Sequence, residues 1–530
     1  MSLSFAVGCA VDQEDLSRWE TTLEGPKRLR AVVLHDKYPH DLRVQAAMSL
    51  IRMKPRKGQR VGIKLLVEKT LAELTAGERG KLVASLVPLI MEELEQKAPD
   101  AQPGQPLPPD PSFKYKDAAY MMLTYDRTSE GTTIITDPEL KKQLLEALTS
   151  WAMADFERRL NDRAQMYGME QLLRYIGAPS VVKLPSLMTK NAKSLVKMAD
   201  IVAKLGDAKS KEAAGEKLVG VAKYIASDQW RKDKKPELEE ANRRAQIEPT
   251  EKQFAAQLER YQDESLLRVY GSMKKVGGAA VIEYGLKVAA NKDENPKRRQ
   301  AALAALEGRI HRDNSELIDR VLAIAGSDAP DIVLDQAFRR IRELPRDKVV
   351  EKLYGMFKTD KWKVRRAAAA TVLQMSKVED IDEFMKQLGR QAHKNLSLGE
   401  FLTYGALLGE LEEGDPRKAI DKYLDRGPLQ ARLAAISYYF SFGTKPDLSK
   451  IQPLRADKEK IPECDEDAEC GWECEVAKEG DPKTRETKQI ETVGQYVLHC
   501  IEPQMEKNKP KTDKKKSDKD EDGKGKGDTP

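Results

Sequence analysis

Asp360-Lys361-Trp362-Lys363-Val364-Arg365-Arg366-Ala367-Ala368-Ala369-Ala370 opens with a polar turn, passes through basic residues and runs into alanines. A helix of that composition presents a face without bulk, against which a second helix can lie close. The pattern recurs as Asn295-Pro296-Lys297-Arg298-Arg299-Gln300-Ala301-Ala302-Leu303 and as Asp41-Leu42-Arg43-Val44-Gln45-Ala46-Ala47-Met48. Weaker copies stand at Lys209 to Ala214, Asp331 to Phe338 and Gln430 to Ala435. Aligning Ala301, Ala337, Ala367 and Ala434 gives spacings of about 36, 30 and 67, the last near two repeats.

Around these copies the chain reads as helix from about residue 14 to residue 450. Ile63, Leu66, Val67, Leu71 and Leu74 mark one helix face, and Leu82, Val83, Leu86, Val87 and Ile90 repeat it after a break at Gly77 to Gly80. Asp137 before Pro138 reads as an N-cap with proline in the first turn. Phe156 to Ile176, Ser194 to Leu205 and Leu218 to Ala226 are further helices, and Lys232 to Arg244 is a very polar segment that projects from the array. Thr132 to Ile135 is the one short strand candidate. The proline-rich stretch 98–111 reads as an exposed linker or insertion. Residues 506–530 hold no large apolar side chain and read as a disordered charged tail.

The repeated turn–basic–alanine unit resembles the HEAT-repeat family across most of residues 30–450. The resemblance implies an all-α fold: an alpha-solenoid of antiparallel helix pairs, each touching its neighbours. Helical repeats would fill 14–97 and 112–450, with a small cysteine-containing C-terminal cap over 451–505 and the tail beyond it. The turn Asp or Asn would cap each inner helix. Arg43, Arg299 and Arg365 would stand at the seams between repeats, where neighbouring carboxylates could pair with them.

Segment 1–13 contains Ala6-Val7-Gly8-Cys9, which looks like the lipobox of a bacterial lipoprotein, although no basic n-region or apolar stretch precedes it. Cys9 is then the lipidation candidate. The other four cysteines, Cys464, Cys470, Cys474 and Cys500, cluster after the last repeat. Their spacing does not match zinc-ribbon pairs, and neighbouring acids disfavour a reactive thiolate. Two disulfides, in any of three pairings, are expected to close the cap and protect Trp472 in an oxidising compartment. The resulting address is the bacterial periplasm or outer membrane, with membrane contact by lipid anchor only.

The chain carries 91 basic and 86 acidic residues among 530, a net charge of +5, which excludes a strongly polyanion-seeking protein. No apolar run approaches the ~18 residues of a membrane-spanning helix. The five histidines, His35, His40, His311, His393 and His499, form no HExxH motif, and no phosphate loop, dinucleotide fingerprint or GxSxG elbow occurs. No cofactor, metal site or catalytic residue is expected. Three function classes follow: a non-enzymatic scaffold of the cell envelope holding a protein partner, a nucleic-acid binder, and a lyase-like helical-repeat enzyme that binds a chromophore. The second would use a basic ridge of Arg298, Arg299, Lys361, Trp362, Lys363, Arg365 and Arg366. The third has no recognisable constellation behind it. The scaffold is the favoured reading.

Overall fold

A computed structural model describes residues 11–56, 58–100, 108–125, 133–161, 165–190, 192–466, 468–478 and 481–508. The chain divides into two units, Met1–Val281 and Ile282–Pro530. Each is built of stacked helix pairs, so the fold is an all-α solenoid of HEAT-like repeats. Cys9 and the tail from residue 509 lie outside the described residues.

In the first unit the stripe from Ile63 to Leu74 is helical but uneven. Val61–Lys64 passes into a π-helical turn, Leu65–Leu71, where the Thr70 hydroxyl donates to the Leu65 carbonyl at 2.8 Å. The next helix, Ala76–Glu95, contains Gly77 and Gly80 instead of starting after them. Its boundary is set by Thr75, whose hydroxyl accepts the Glu78 amide at 3.4 Å. An N-cap contributes about 1 kcal/mol against the roughly 1 kcal/mol cost of each internal glycine, and the buried face from Leu82 to Ile90 supplies the rest. Asp137 caps Pro138–Ala154 as expected from its place before proline. Residues 133–137 form no strand, because Ile134 and Ile135 are instead buried in a connection before that helix. The expected Phe156 to Ile176 helix is two helices, Phe156–Asn161 and Met169–Ile176. The polar segment is a helix, Asp228–Arg244, with only Trp230 and Asn242 buried; it is followed by the long helix Glu251–Val276.

The described ends of the proline-rich connection are tied to the neighbouring helix Phe156–Asn161. Arg158 donates to the carbonyls of Pro99 and Pro108, and Asp110 is buried with its carboxylate taking the Arg159 Nε at 3.0 Å. Proline supplies no amide, so a proline-rich segment meets its neighbours through carbonyls and an occasional acid.

The second unit shows the repeat most clearly. One layer holds Pro296–Ala304, Asp331–Ile341, Trp362–Gln374, Leu398–Leu408 and Leu429–Phe442. The other holds Ala279–Ala290, Ser315–Ala325, Arg346–Gly355, Ile381–Leu388 and Pro416–Asp421. In the alanine pairs of two copies the second member is the buried one: Ala302 and Ala368 are buried, whereas Ala301 and Ala367 are half-buried. Small residues set the distance between helices. A methyl group placed on Gly405 would sit 2.2 Å from the Ser437 carbonyl carbon, so Leu398–Leu408 and Leu429–Phe442 touch backbone to backbone. Charge pairs join successive members of the other layer, through Glu283–Arg320 at 2.6 Å, Asp319–Lys352 and Asp382–Lys422 at 2.5 Å, and Asp421–Lys450 at 2.6 Å ties its last member to the following short helix Leu448–Ile451. Such pairs contribute roughly 0–1 kcal/mol each and act mainly on register.

The turn acids behave differently from expectation. Asn295 does cap its helix, accepting the Lys297 amide at 2.9 Å. Asp41 and Asp331 instead lie inside the first turn, because Pro39 and Pro330 occupy the N-cap positions. There they complement the helix dipole without closing a cap. The seam arginines also differ from one another. Arg43 Nε donates to the Val33 carbonyl at 2.8 Å, and Arg299 Nε to the Ala289 carbonyl at 2.9 Å. Both acceptors belong to the last turn of the preceding helix, whose carbonyls lack intrahelical partners. The repeat arginine therefore serves as a C-cap donated by the next helix.

Gly405→Ala is expected to lose about 2–3 kcal/mol, since the methyl group meets backbone that cannot yield. Gly220→Ala, in the middle of Ala208–Ile225 with nothing near the added carbon, should gain roughly 0.5–1 kcal/mol. Urea unfolding midpoints of the two variants check the opposite signs.

Candidate interaction site at the C-terminal cap

Trp362–Gln374 places Val364, Arg365, Ala368 and Val372 on its buried face. Arg365 therefore enters the core directly behind the alanines, and it is 0% exposed. Its partner is Glu400, also 0% exposed, from the first turn of the next helix in that layer. Arg365 Nε and Nη2 donate to the two Glu400 oxygens at 3.1 and 3.0 Å. Nη1 reaches the Thr359 carbonyl and Nη2 the Asn395 carbonyl, both at 2.7 Å. Glu400 Oε1 also accepts Gln391 Nε2 and the Tyr404 hydroxyl, each at 2.6 Å. Burial pushes the Tyr404 phenol well above its ordinary value, and the Glu400 carboxylate adds to that shift. A fork of donors met by a two-oxygen acceptor is the arrangement that makes a buried pair tolerable.

The pair holds the connection that leads to the cap. Asn395 has a φ of 52°, a left-handed conformation that asparagine tolerates better than most residues. Both ends of its amide engage Asp465: Nδ2 donates to the carboxylate at 3.1 Å, and Oδ1 accepts the Asp465 amide at 2.9 Å. Next to it, Trp472 Nε1 donates to the Leu396 carbonyl at 2.8 Å, and the Leu398 amide donates to the Gly471 carbonyl at 3.1 Å. Trp472 is buried, with Phe401 and Tyr496 against its ring.

In the cap Cys464 is bonded to Cys470 and Cys474 to Cys500, with Cα separations of 5.9 and 5.7 Å. Cys474 lies on β1, Glu473–Lys478, which pairs antiparallel with β2, Asp481–Gln489. Cys500 lies in the helical segment after Val493, where Val497, Ile501 and Met505 are buried and the Tyr496 hydroxyl meets that of Ser437 at 2.7 Å. The second disulfide thus staples the hairpin to the segment covering the last repeat helix. In the chain-entropy model it contributes ~3.5 kcal/mol, and the shorter Cys464–Cys470 ring ~2.5 kcal/mol.

Between the cap loop and the repeat turns lies an open cleft of about 410 Å³, lined among others by Asp328, Lys361, Trp362, Lys363, Asp465 and Glu469. Trp362 Nε1 donates to the Ala468 carbonyl at 2.8 Å. Lys361 pairs with Asp328 at 3.5 Å, and Lys363 with Glu469 at 3.0 Å and Asp331 at 3.7 Å. The hydrogen bond to Glu469 raises the Lys363 ammonium above its ordinary value.

These contacts correct the expected basic ridge. Arg365 is in the core, and Arg299 is buried against a carbonyl. Arg298 is buried with Glu294 at 3.1 Å. Lys361 and Lys363 are paired, and Arg366 lies over the Trp362 ring at 5.1 Å. Of the seven residues Arg298, Arg299 and Arg365 are therefore drawn into the fold, while Lys361, Lys363 and Arg366 stay at the surface, in ion pairs or over the Trp362 ring. The histidines are scattered: His40 contacts Ser85, His311 lies by Asp313 and His393 by Gln430. Burial, then Lys488, lowers the pKa of His499. Among the described residues no group of His, Cys, Asp and Glu is arranged to hold a metal ion. Residues that sequence reading passed over include Glu400, Asn395 and Gln391. The signal available was Ser397-x-x-Glu400, a capping-box spacing that the structure does show, but it says nothing of an arginine in the preceding repeat.

No family model and no curated protein matches the chain. Among solved structures, it is similar to a mutant of the karyopherin Kap121p (14% identity, TM-score 0.30, 84% of this chain and 44% of that one). It is also similar to Kap121p bound to the extreme C-terminus of the protein phosphatase Cdc14p (15% identity, TM-score 0.33, 82% and 44%). The chain spans less than half the length of each.

Glu400→Ala leaves the Arg365 charge buried without its acceptor and should destabilise the protein by about 3–5 kcal/mol. Joining Arg365→Met to Glu400→Leu should recover most of that loss, since an apolar pair needs no partner. Denaturant unfolding of the single and double variants measures this. A double variant as unstable as the sum of its singles would contradict it.

Proposed function

We propose that the chain is a non-enzymatic scaffold that holds a protein partner on its helical array, with the cleft beside Trp362 as the contact region. The observation that carries this reading is the internal use of the repeat's cations. With Arg365 and Arg299 buried and Lys361 and Lys363 paired, the surface at the cleft is of mixed charge. A mixed surface suits a protein better than a phosphate backbone, whose binding depends on a run of unpaired cations. The charged side chains that line the cleft are largely taken up in ion pairs, Lys361 with Asp328 and Lys363 with Glu469 and Asp331, and the described lining includes neither a histidine nor a cysteine to act as base or nucleophile. That favours the scaffold over a lyase-like enzyme.

The proposed setting is an oxidising compartment, the bacterial periplasm or outer membrane, with anchorage through a lipid on Cys9. The cap supports it, because two disulfides persist where thiols are not kept reduced.

A photo-crosslinking side chain at Asp360, exposed on the cleft rim, should yield a discrete protein adduct in cells, weakened by Lys361→Glu. Tight binding of a short nucleic-acid duplex with a steep loss in salt, and no protein adduct, would overturn the scaffold. Palmitate incorporation should disappear in Cys9→Ser; equal labelling of that variant would remove the anchor.

A further inference from the structure

The two cysteine pairs sit in unlike surroundings. Cys464 and Cys470 are both half-buried and bracket an acidic stretch of which Asp465, Glu466 and Glu469 are exposed. Cys474 is half-buried like Cys464 and Cys470, but its partner Cys500 is buried in the segment whose Val497 and Ile501 belong to the core, and the bond spans 26 residues. Cys500 is closed to attack, and attack at Cys474 would expel the Cys500 thiolate into apolar surroundings, which disfavour the charged form and make it a poor leaving group.

The short ring also holds a particular contact. Glu469, the residue before Cys470, has a φ of 50°, a left-handed conformation disfavoured for a residue with a Cβ. With that conformation imposed, the Ala468 carbonyl meets Trp362 Nε1 and the Glu469 carboxylate meets Lys363. Opening the ring removes the constraint and strands few groups. Lys363 keeps Asp331 at 3.7 Å, Trp362 is half-buried and its N–H can turn to water, and Asp465 is already exposed. Asn395 is the one buried group that loses partners, and withdrawal of the loop admits water to it. The rest of the cap has its own attachments, through Trp472 to Leu396 and through the Cys474–Cys500 bond.

We propose that the Cys464–Cys470 bond is a redox latch that keeps the loop closed over Trp362, while the Cys474–Cys500 bond is structural. A dithiol reductant attacks one of the two half-buried sulfurs of Cys464 and Cys470. Its thiolate forms a mixed disulfide as the Cys464–Cys470 bond breaks, and its second thiol then displaces the protein sulfur. Two electrons and two protons pass to the protein; the reductant leaves as a disulfide, and Cys464 and Cys470 remain as thiols. The loop swings away, and Trp362 and Lys363 become the exposed face of the cleft. The latch stands on the cap's own geometry, whichever partner the cleft takes.

The test is a titration of the full chain with dithiothreitol, followed by alkylation with mass mapping and by tryptophan emission. Cys464 and Cys470 should be alkylated at a reductant concentration that leaves Cys474 and Cys500 bonded. Emission should shift to longer wavelength in that step, and the shift should vanish in Trp362→Phe. Cys464→Ser with Cys470→Ser should show the shifted emission without reductant, at unchanged helix content. Alkylation of all four cysteines together, or opening of the short ring with unaltered Trp362 emission, would overturn the latch.

Discussion

The second unit depends on one buried contact, the Arg365 guanidinium against the Glu400 carboxylate, both 0% exposed. A charge in that position is costly unless each of its hydrogen-bonding groups is matched, and the matching partners are what order the surroundings. Arg365 holds the carbonyls of Thr359 and Asn395, and Glu400 holds Gln391 and Tyr404. Through Asn395 the order extends to Asp465, and so to the loop closed by Cys464 and Cys470. The cap is seated on the array by this polar path on one side and by the packing of Trp472, Tyr496 and Met505 on the other.

The same residue type does different work along the array. Arg43 and Arg299 each close the carbonyl end of the preceding helix. Arg365 reaches a carbonyl of the preceding turn as well, but turns most of its fork to a carboxylate of the following helix. A helix end buried in a stack has no water to satisfy its last carbonyls, so a donor must come from a neighbour, and the long arginine side chain supplies one. This explains why the repeat arginines Arg43, Arg299 and Arg365 are taken up inside the fold. Two members of the expected basic ridge, Arg299 and Arg365, are thereby withdrawn from the surface.

Much of the fold was legible in the sequence because the signals were local and periodic. The alanine pairs, the proline-bearing turns and the 3–4 spacing of aliphatic residues mark the helices and their order, and copies as weak as Gln430 to Ala435 fall on buried helix faces. Boundaries were less legible where two local preferences competed, as at Thr75 against Gly77 and Gly80. The β1–β2 hairpin escaped notice because residues 484–489 are all exposed, leaving no apolar alternation to read. The candidate site was half legible. Lys361, Trp362, Lys363 and the four C-terminal cysteines were singled out and do lie around one cleft and its cap. Glu400 and Asn395 were not, since a buried carboxylate and a left-handed asparagine acquire their roles only from residues about 30–70 positions away.

The claim that the buried pair orders the cap is tested most directly by amide hydrogen exchange in Glu400→Gln, which keeps the size of the side chain and removes its charge. Exchange at the amides of Asp465 and Leu398, bonded to Asn395 and Gly471, is the quantity to follow. The account predicts that both lose protection, while Leu429–Phe442, held by close backbone packing, keeps its own. Undiminished protection across the cap, in a variant whose array is otherwise intact, would contradict it.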